Sequence, residues 1–264
     1  MTAVLQLNSY EVEVDAILFD KDGTLLQFLP LWGTWAGVMT SLMVGSIQAL
    51  GKGVDFTPES LLGVELDGMS RVTGYDLQGP LAIASIPEIE GALAWQLYTR
   101  GMSWNQAVQR VREIRAAADA EVERERPVVP LPGLMAFLSR CMEADIPLAV
   151  VTADQTAEAV KHLEWLGVAD RFGVIMGRDQ VINGKPSPEI VFKTCELLGV
   201  LPARTVLIGD TAGDMQTGRL AGVSLTMGIG AGETLAQADV MIRSYDELRI
   251  GQSVHEQQSV RQKG

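Results

Sequence analysis

Two aspartates, Asp20 and Asp22, lie one residue apart in the stretch FDKDGTL, directly after the apolar run VDAILF. Carboxylates this close repel each other, and without a cation between them at least one should have its pKa raised. A divalent cation with oxygen ligands would offset that cost. One aspartate at such a site could attack phosphorus while the other gives and takes a proton. The pair therefore needs cationic partners from elsewhere in the chain.

Polar residues also follow three later segments of the chain. Thr152 lies in LAVVTAD where the strand pattern ends, Lys185 precedes a helix start in INGKPSPE, and Asp210 ends VLIGD with Asp214 four residues further on. If these segments form one parallel sheet, the residues converge beyond the carboxyl ends of its strands. Several carboxylates at one point suit Mg²⁺, and a lysine and a hydroxyl beside them suit a phosphoryl group. The set predicts phosphoryl chemistry assisted by Mg²⁺.

The segments that must position these residues alternate between strand and helix patterns from about residue 130 onward. IPLAVVTA is typical of a buried strand and QTAEAVKHLEWLG of a helix, and ADVMI and SYDELRI are interpreted as a last strand and helix. Such alternation predicts an α/β fold with a doubly wound parallel sheet. Residues 27–127 have weak strand signals and are predicted to form an all-helical insertion. The predicted domains are a core of 1–26 and 128–250, a cap of 27–127 and a flexible tail of 251–264.

Four stretches, DKDGT, VVTAD, GKPSP and GDTAGD, resemble in this order the motifs of the haloacid dehalogenase-like hydrolase superfamily. The insertion is similar to the first-type cap of that family, and the D-x-D-G-T form resembles its phosphatase branch, most of all the phosphoglycolate phosphatase group. True dehalogenases lack the second aspartate. The resemblance implies a Rossmann-like core, a Mg²⁺ cofactor and hydrolysis of a small phosphorylated metabolite.

The resemblance also assigns roles to the acidic residues. It implies that Asp20 is the nucleophile and a Mg²⁺ ligand, and that Asp22 is the general acid/base with its backbone carbonyl on the metal. Asp210 is similar to a direct metal ligand. Asp214 resembles a carboxylate that orients metal-bound water, although a charge at a helix N-terminus would also suit the helix dipole.

Phosphate binding is assigned by the same resemblance. Thr152 resembles the hydroxyl that binds the phosphoryl group, and Lys185 resembles the cation that bridges nucleophile and phosphate. Gly23 lets the loop turn tightly so that its amides can face the phosphate, and Thr24 is placed with it among the phosphate-binding residues. Arg71, in LDGMSRVTGYD, is a candidate for substrate specificity through a carboxylate on the leaving group. The alternative for Arg71 is an ion pair with Asp67 or Asp76.

Other residues receive no role in this interpretation. Lys21 would point away from its two aspartate neighbours along an extended chain. His162 is expected on a helix far from the motifs and His255 in the tail, so neither is expected to be the catalytic base. Cys141 and Cys195 lie in apolar helical patterns and are expected to be core residues.

Three alternatives to a phosphatase stay open. A phosphomutase or a pyrophosphatase could use the same core residues. A catalytically silent binding module is disfavoured because it would have no reason to hold so many mutually repelling carboxylates.

Charge and hydropathy argue against some classes of partner and against a membrane location. The 264 residues include 33 acidic and 21 basic ones, a net charge of −12, which argues against nucleic acid and anionic membranes. Residues 25–51 contain no charge, but their many polar side chains argue against a membrane span. The N-terminus lacks the basic start and apolar run of a signal peptide. We expect a cytoplasmic protein that is a monomer or a homodimer.

Overall fold

The computed structural model describes residues 3–7, 10–53, 57–69, 71–230, 235 and 237–252. The chain divides into two compact units. The core unit comprises Met1–Gln27 and Val128–Gly264, and the insertion unit comprises Phe28–Pro127.

The elements are numbered in chain order. The strands are β1 (Ala3–Leu7), β2 (Tyr10–Val14), β3 (Ala16–Phe19), β4 (Val64–Leu66), β5 (Val72–Tyr75), β6 (Leu148–Val151), β7 (Val174–Met176), β8 (Thr205–Gly209), β9 (Leu225–Ile229), β10 (Val240–Ile242) and β11 (Arg249–Gln252). The α-helices are α1 (Thr34–Ala49), α2 (Pro80–Ile83), α3 (Ile86–Tyr98), α4 (Trp104–Glu125), α5 (Leu134–Glu143), α6 (Thr156–Leu166), α7 (Glu189–Leu198) and α8 (Ala212–Ala221).

A six-stranded parallel sheet forms the centre of the core unit, in the order β10-β9-β8-β3-β6-β7. Strand β3 lies between β8 and β6, with Phe19 paired in register with Ile208 on one side and Val150 on the other. All four residues of β3 are buried, as expected for a strand covered on both faces. The α/β fold class is confirmed.

Aromatic packing under β3 fixes the end of this strand. The Phe19 ring lies 6.3 Å from the Phe137 ring of α5 and 6.2 Å from the Tyr245 ring. All three side chains are fully buried. Such rings bury a large area in specific geometries, so the residue before Asp20 has little freedom to move. Cys141 lies in the same cluster, and both cysteines are buried as expected.

The ends of the core unit differ from the sequence prediction. A three-stranded antiparallel sheet, β11-β1-β2, joins the two ends of the described chain. The stretch SYDELRI, interpreted as a helix, forms a single 3₁₀ turn at Tyr245–Glu247 and then enters β11. From Arg249 onward the backbone pairs antiparallel with β1, and that long-range pairing takes the place of a helix. Of the predicted flexible tail, 251 and 252 belong to β11 and the rest lies outside the described residues.

The insertion unit is built on α1, α3 and α4. The buried face of α1 includes Met39 and Met43, and that of α4 includes Val111 and Ile114. The unit also contains an antiparallel ribbon of β4 and β5, so the all-helical description of this segment is incomplete. Only three or four residues form each strand, which is too short for a period-two pattern to stand out in the sequence. No helix among the described residues combines the length and apolar character that a bilayer crossing requires.

Candidate active site

The predicted residues of the core unit meet at the carboxyl edge of the parallel sheet. Asp20 follows β3, Thr152 follows β6 and Asp210 follows β8. The Asp20 amide donates to the Ile208 carbonyl at 2.8 Å, so the chain leaves β3 still paired with β8. Adjacent parallel strands that end together place these three side chains at one edge.

Lys185 joins two of the carboxylates. Its Nζ donates to Asp20 Oδ1 at 2.7 Å and to Asp214 Oδ1 at 2.5 Å. The lysine side chain is 8% exposed. Burial by itself would lower the pKa of this ammonium, but attraction to Asp20 and Asp214 raises it above the ordinary lysine value. Lys185 is therefore a permanent cation between the two acids.

The acids outnumber this cation. Asp20, Asp210 and Asp214 each offer a carboxylate oxygen, and these oxygens all lie within 4.8 Å of one another. Burial raises the pKa of Asp20 to about 7, with Asp214 and Asp22 adding repulsion and Lys185 opposing both. Burial, then repulsion from Asp20 and Asp214, raises the pKa of Asp210 well above its usual range. A divalent cation with oxygen ligands would hold these groups ionised, so the donor set fits Mg²⁺.

The loop after β3 brings its backbone against Asp210. Gly23 has φ +74°, and a Cβ at this position would overlap Asp210 Oδ2, so only glycine fits. The Thr24 hydroxyl is fully buried and donates to Asp210 Oδ1 at 3.4 Å. Tyr245 donates to the Thr24 carbonyl at 3.2 Å. Thr24 thus supports Asp210, and its part in phosphate binding stays a prediction.

Asp214 uses both of its carboxylate oxygens within the protein. Oδ1 accepts from Lys185, and Oδ2 accepts from the Thr211 hydroxyl at 2.5 Å and the Thr211 amide at 3.1 Å. The Asp214 amide donates back to the Thr211 hydroxyl at 3.2 Å, which completes a capping box at the start of α8. Asp214 therefore positions Lys185 and caps the helix at the same time.

Thr152 is 2% exposed, and its Oγ1 accepts a hydrogen bond from the Asp154 amide at 3.1 Å. A hydroxyl that accepts in this way still has its own proton to donate. Its placement after β6 agrees with the predicted phosphoryl-binding role, which stays a prediction.

Lys21 is fully buried beside Asp22, where the sequence analysis gave it no role. The Nζ atom donates to Asp22 Oδ1 at 2.7 Å and lies 3.3 Å from Asp154 Oδ2 and 3.1 Å from His162 Nδ1. The expectation that Lys21 points away was wrong because the chain bends after β3, so the alternation of an extended strand does not apply. Burial alone would lower the pKa of Lys21, but attraction to Asp22 and Asp154 raises it.

His162 also lies closer to the motifs than the sequence suggested. It is on α6, yet its ring reaches Lys21. Burial, and then repulsion from Lys21, lowers the pKa of His162 to about 3, so the ring is neutral. Because an ammonium can only donate, Nδ1 must accept and the proton is assigned to Nε2, 3.9 Å from Glu158 Oε2. A neutral ring that already accepts from Lys21 is not a free base, so the expectation that His162 is not the catalytic base stands.

Comparison with known proteins assigns the family. The family model for haloacid dehalogenase-like hydrolases matches residues 14–222. This chain belongs to that family. A phosphoglycolate phosphatase of Shigella dysenteriae is 33% identical over 261 residues, which cover 92% of this chain and 93% of the relative.

Solved structures share the fold of this hydrolase. A protein of Haemophilus somnus described as a predicted phosphoglycolate phosphatase superposes with a TM-score of 0.63 at 15% identity, over 88% of this chain and 95% of that one. A β-phosphoglucomutase of Clostridium difficile gives 0.58 at 19% identity, over 93% and 96%. The sequence relatives of this hydrolase thus support a phosphatase, whereas its fold is shared with a β-phosphoglucomutase.

Arg71 of this hydrolase lies in the insertion unit, and its guanidinium pairs with an acid. Its Nε and Nη2 atoms each lie 2.8 Å from Asp67 Oδ2, and the side chain is 69% exposed. Asp67 Oδ1 also accepts from the Arg71 amide at 2.9 Å. The ion pair is the alternative anticipated from the sequence, and a role in substrate selection stays a prediction.

Proposed function

We propose that this hydrolase is a Mg²⁺-dependent phosphatase that cleaves a small phosphorylated metabolite through an aspartyl-phosphate intermediate on Asp20. The observation that carries the proposal is the contact of Lys185 with both Asp20 and Asp214 beside the carboxylate of Asp210. A buried nucleophile, a fixed cation and surplus carboxylates for a metal are the parts that phosphoryl transfer needs.

Asp20 and Asp210 would hold the metal with their carboxylates, and Asp22 would hold it with its backbone carbonyl. Asp214 is less suited to direct contact because both of its oxygens already accept hydrogen bonds from Lys185 and Thr211. When bound, Mg²⁺ supplies positive charge that orients the phosphoryl oxygens and offsets the repulsion between the carboxylates.

The chemical steps belong to the side chains. An Asp20 carboxylate oxygen attacks phosphorus, a new P–O bond forms, and the bond from phosphorus to the leaving alcohol breaks. Asp22 donates its proton to that alcohol oxygen. Asp22 then takes a proton from water, whose oxygen attacks phosphorus and breaks the bond to Asp20. Lys185 remains beside the nucleophile throughout and, with Thr152 and the loop amides near Gly23, would hold the phosphoryl oxygens.

A phosphoglycolate-like substrate is favoured because the relatives that match over most of the chain are phosphoglycolate phosphatases. The core residues would contact the phosphoryl group and the oxygen that joins it to the alcohol, which all phosphate monoesters share, so they cannot by themselves select the alcohol.

Phosphate release from a panel of phosphorylated metabolites, with Mg²⁺ and with EDTA, tests the proposal. We expect release with Mg²⁺ from wild type and none from Asp20→Asn, and mass spectrometry of acid-quenched wild type should find a phosphoryl group on the Asp20 peptide. The absence of release from every ester would refute a phosphatase. Conversion of a sugar 1-phosphate into its 6-phosphate without net release would identify a mutase instead.

A further inference from the structure

Lys21, in the loop after β3, is a second buried lysine, and it has no role in the reaction proposed above. We call Lys21, Asp154 and His162 the Lys21 triad. Lys21 and His162 are buried, at 0% and 5% exposure, and the Asp154 side chain is 11% exposed. A buried charge needs partners that offset its loss of hydration. Asp154 and His162 supply such partners to the Lys21 ammonium.

The Lys21 ammonium has three hydrogens and three groups within reach. It donates to Asp22 Oδ1 at 2.7 Å and to His162 Nδ1 at 3.1 Å, and it forms an ion pair with Asp154 Oδ2 at 3.3 Å. The shortest of these contacts is the one to Asp22.

Two separate elements hold the other members in place. Asp154 follows β6, and its Oδ1 accepts from the Gln155 amide at 2.9 Å. The His162 ring lies on α6, 5.3 Å from the ring of Trp165. Because both groups are attached to the neighbouring strand and its helix, the Lys21 nitrogen has a fixed position relative to the carboxyl edge of the sheet.

We propose that Lys21, held by Asp154 and His162, positions the Asp22 carboxylate for proton transfer to the leaving group. Lys21 occupies Oδ1, so Oδ2 is the oxygen left for the leaving alcohol and later for water. Asp22 is 17% exposed, and its Oδ1 accepts the hydrogen bond that Lys21 donates. Loss of Lys21 would remove that restraint on the Asp22 side chain. This inference rests on the proposed phosphatase reaction, in which Asp22 is the acid.

Leaving groups of different acidity test this role. Phenyl phosphate and 4-nitrophenyl phosphate have almost the same shape, but phenoxide is the more basic leaving group and depends more on a donated proton. The value of kcat/KM reports the steps up to departure of that group. A misplaced general acid should therefore slow phenyl phosphate more, whereas a general loss of folded enzyme or of phosphate binding slows both equally. General acid catalysis is worth about 10²–10⁴-fold, so we expect Lys21→Met to lower the ratio of the two kcat/KM values about ten-fold.

Three further variants make the result specific. Asp154→Asn should shift the ratio in the same direction by a smaller factor, because Lys21 keeps His162. Lys21→Met/Asp154→Asn removes both charges and serves where Lys21→Met alone does not fold. Arg219→Met is the matched control: it removes a half-exposed cation of α8 that lies 4.0 Å from Asp239, and it should leave the ratio unchanged.

The outcomes distinguish a failure of the proposed phosphatase reaction from a failure of the proposed role of Lys21. If wild type with Mg²⁺ hydrolyses neither ester nor any metabolite of the panel, the phosphatase itself is refuted and the role of Lys21 falls with it. If wild type is active and the folded Lys21 variants lose activity equally on both esters, or lose none, the phosphatase stands and the positioning role is overturned.

Discussion

Replacing Asp20, the proposed nucleophile, should stabilise the metal-free protein while it abolishes turnover. In wild type, burial and the neighbouring acids raise the pKa of Asp20 to about 7, from an ordinary value of 3.8. Asp20→Asn removes the carboxylate but keeps an oxygen that can accept from Lys185. The substitution therefore eliminates the cost of ionising a buried acid, and an amide cannot form an acyl phosphate.

The size of the effect follows from the pKa difference. The folded protein binds the Asp20 proton more tightly than the unfolded chain does, so wild type loses stability as the pH rises from about 4 to about 7. A shift of about three units corresponds to about 4 kcal/mol above pH 7 and to about 2 kcal/mol at pH 5. The attraction of Lys185 is already part of that pKa. For a chain of this size we expect Asp20→Asn to raise the Tm by about 10 °C at pH 8 and by about 4 °C at pH 5.

Thermal unfolding in EDTA at pH 5 and at pH 8 measures this difference, with Asp170→Asn as control. Asp170 is exposed in a 3₁₀ turn away from the sheet edge, so its substitution should leave the Tm within a degree or two at both values. Added Mg²⁺ should raise the Tm of wild type more than that of Asp20→Asn, because Asp20 is a proposed ligand. A Tm for Asp20→Asn at pH 8 that equals or falls below wild type in EDTA would refute the reasoning, as would a gain independent of pH.

Four further substitutions or treatments probe the rest of the site. Asp22→Asn should lower kcat about 10²–10⁴-fold and leave Mg²⁺ affinity in calorimetry nearly unchanged, since only the backbone carbonyl is proposed to bind metal; a lost affinity would place the side chain on the metal. EDTA should abolish phosphate release, Mg²⁺ restore it and Ca²⁺ inhibit it, because Ca²⁺ takes looser, higher coordination; equal rates with Ca²⁺ would contradict this. Thr211→Ala should cost about 1 kcal/mol of unfolding free energy and lower kcat, because Asp214 loses its cap partner; loss of stability with unchanged kcat would limit Asp214 to capping. Arg71→Ala should lower kcat/KM for phosphoglycolate but not for an uncharged aryl phosphate if Arg71 binds substrate; an equal effect on both would leave only its ion pair with Asp67.

The sheet and the main acidic cluster could be predicted because their signals are local. Each strand is a short apolar run that ends in a polar residue, and parallel strands in a doubly wound sheet bring such ends together. Asp20 and Asp210 therefore met the expectation that they share one edge of the sheet. The cap of α8 was also foreseeable in part, since an acid in the first turn of a helix is a common feature.

The Lys21 triad could not be predicted in the same way. Lys21 lies in the loop after β3, Asp154 lies after the end of β6, and His162 lies on the second turn of α6. No sequence-spacing rule connects these three positions. Alternation along an extended strand gave the wrong direction for Lys21 because the strand had already ended. The antiparallel sheet of β1, β2 and β11 was not predicted for a related reason. Strand β11 comes from the opposite end of the described chain to β1 and β2, so its pairing with β1 is a long-range contact.

The two lysines explain how the chain tolerates adjacent acids at 20 and 22. From the sequence, Mg²⁺ and Lys185 were expected to offset the repulsion between them. Lys185 does contact Asp20, together with Asp214, and Lys21, which had no assigned role, contacts Asp22 and Asp154. Asp20 and Asp22 are thus each paired with a different lysine. A second acid, Asp214 for Lys185 and Asp154 for Lys21, helps to hold each lysine in place.

The two lysines contact acids that have different proposed functions. A nucleophile must stay ionised and close to phosphorus, whereas a general acid must carry a proton and release it. With Lys185 on one side and Lys21 on the other, substitution of Lys21 can change proton transfer without touching the contact between Lys185 and the nucleophile, which is why the two esters can tell these roles apart.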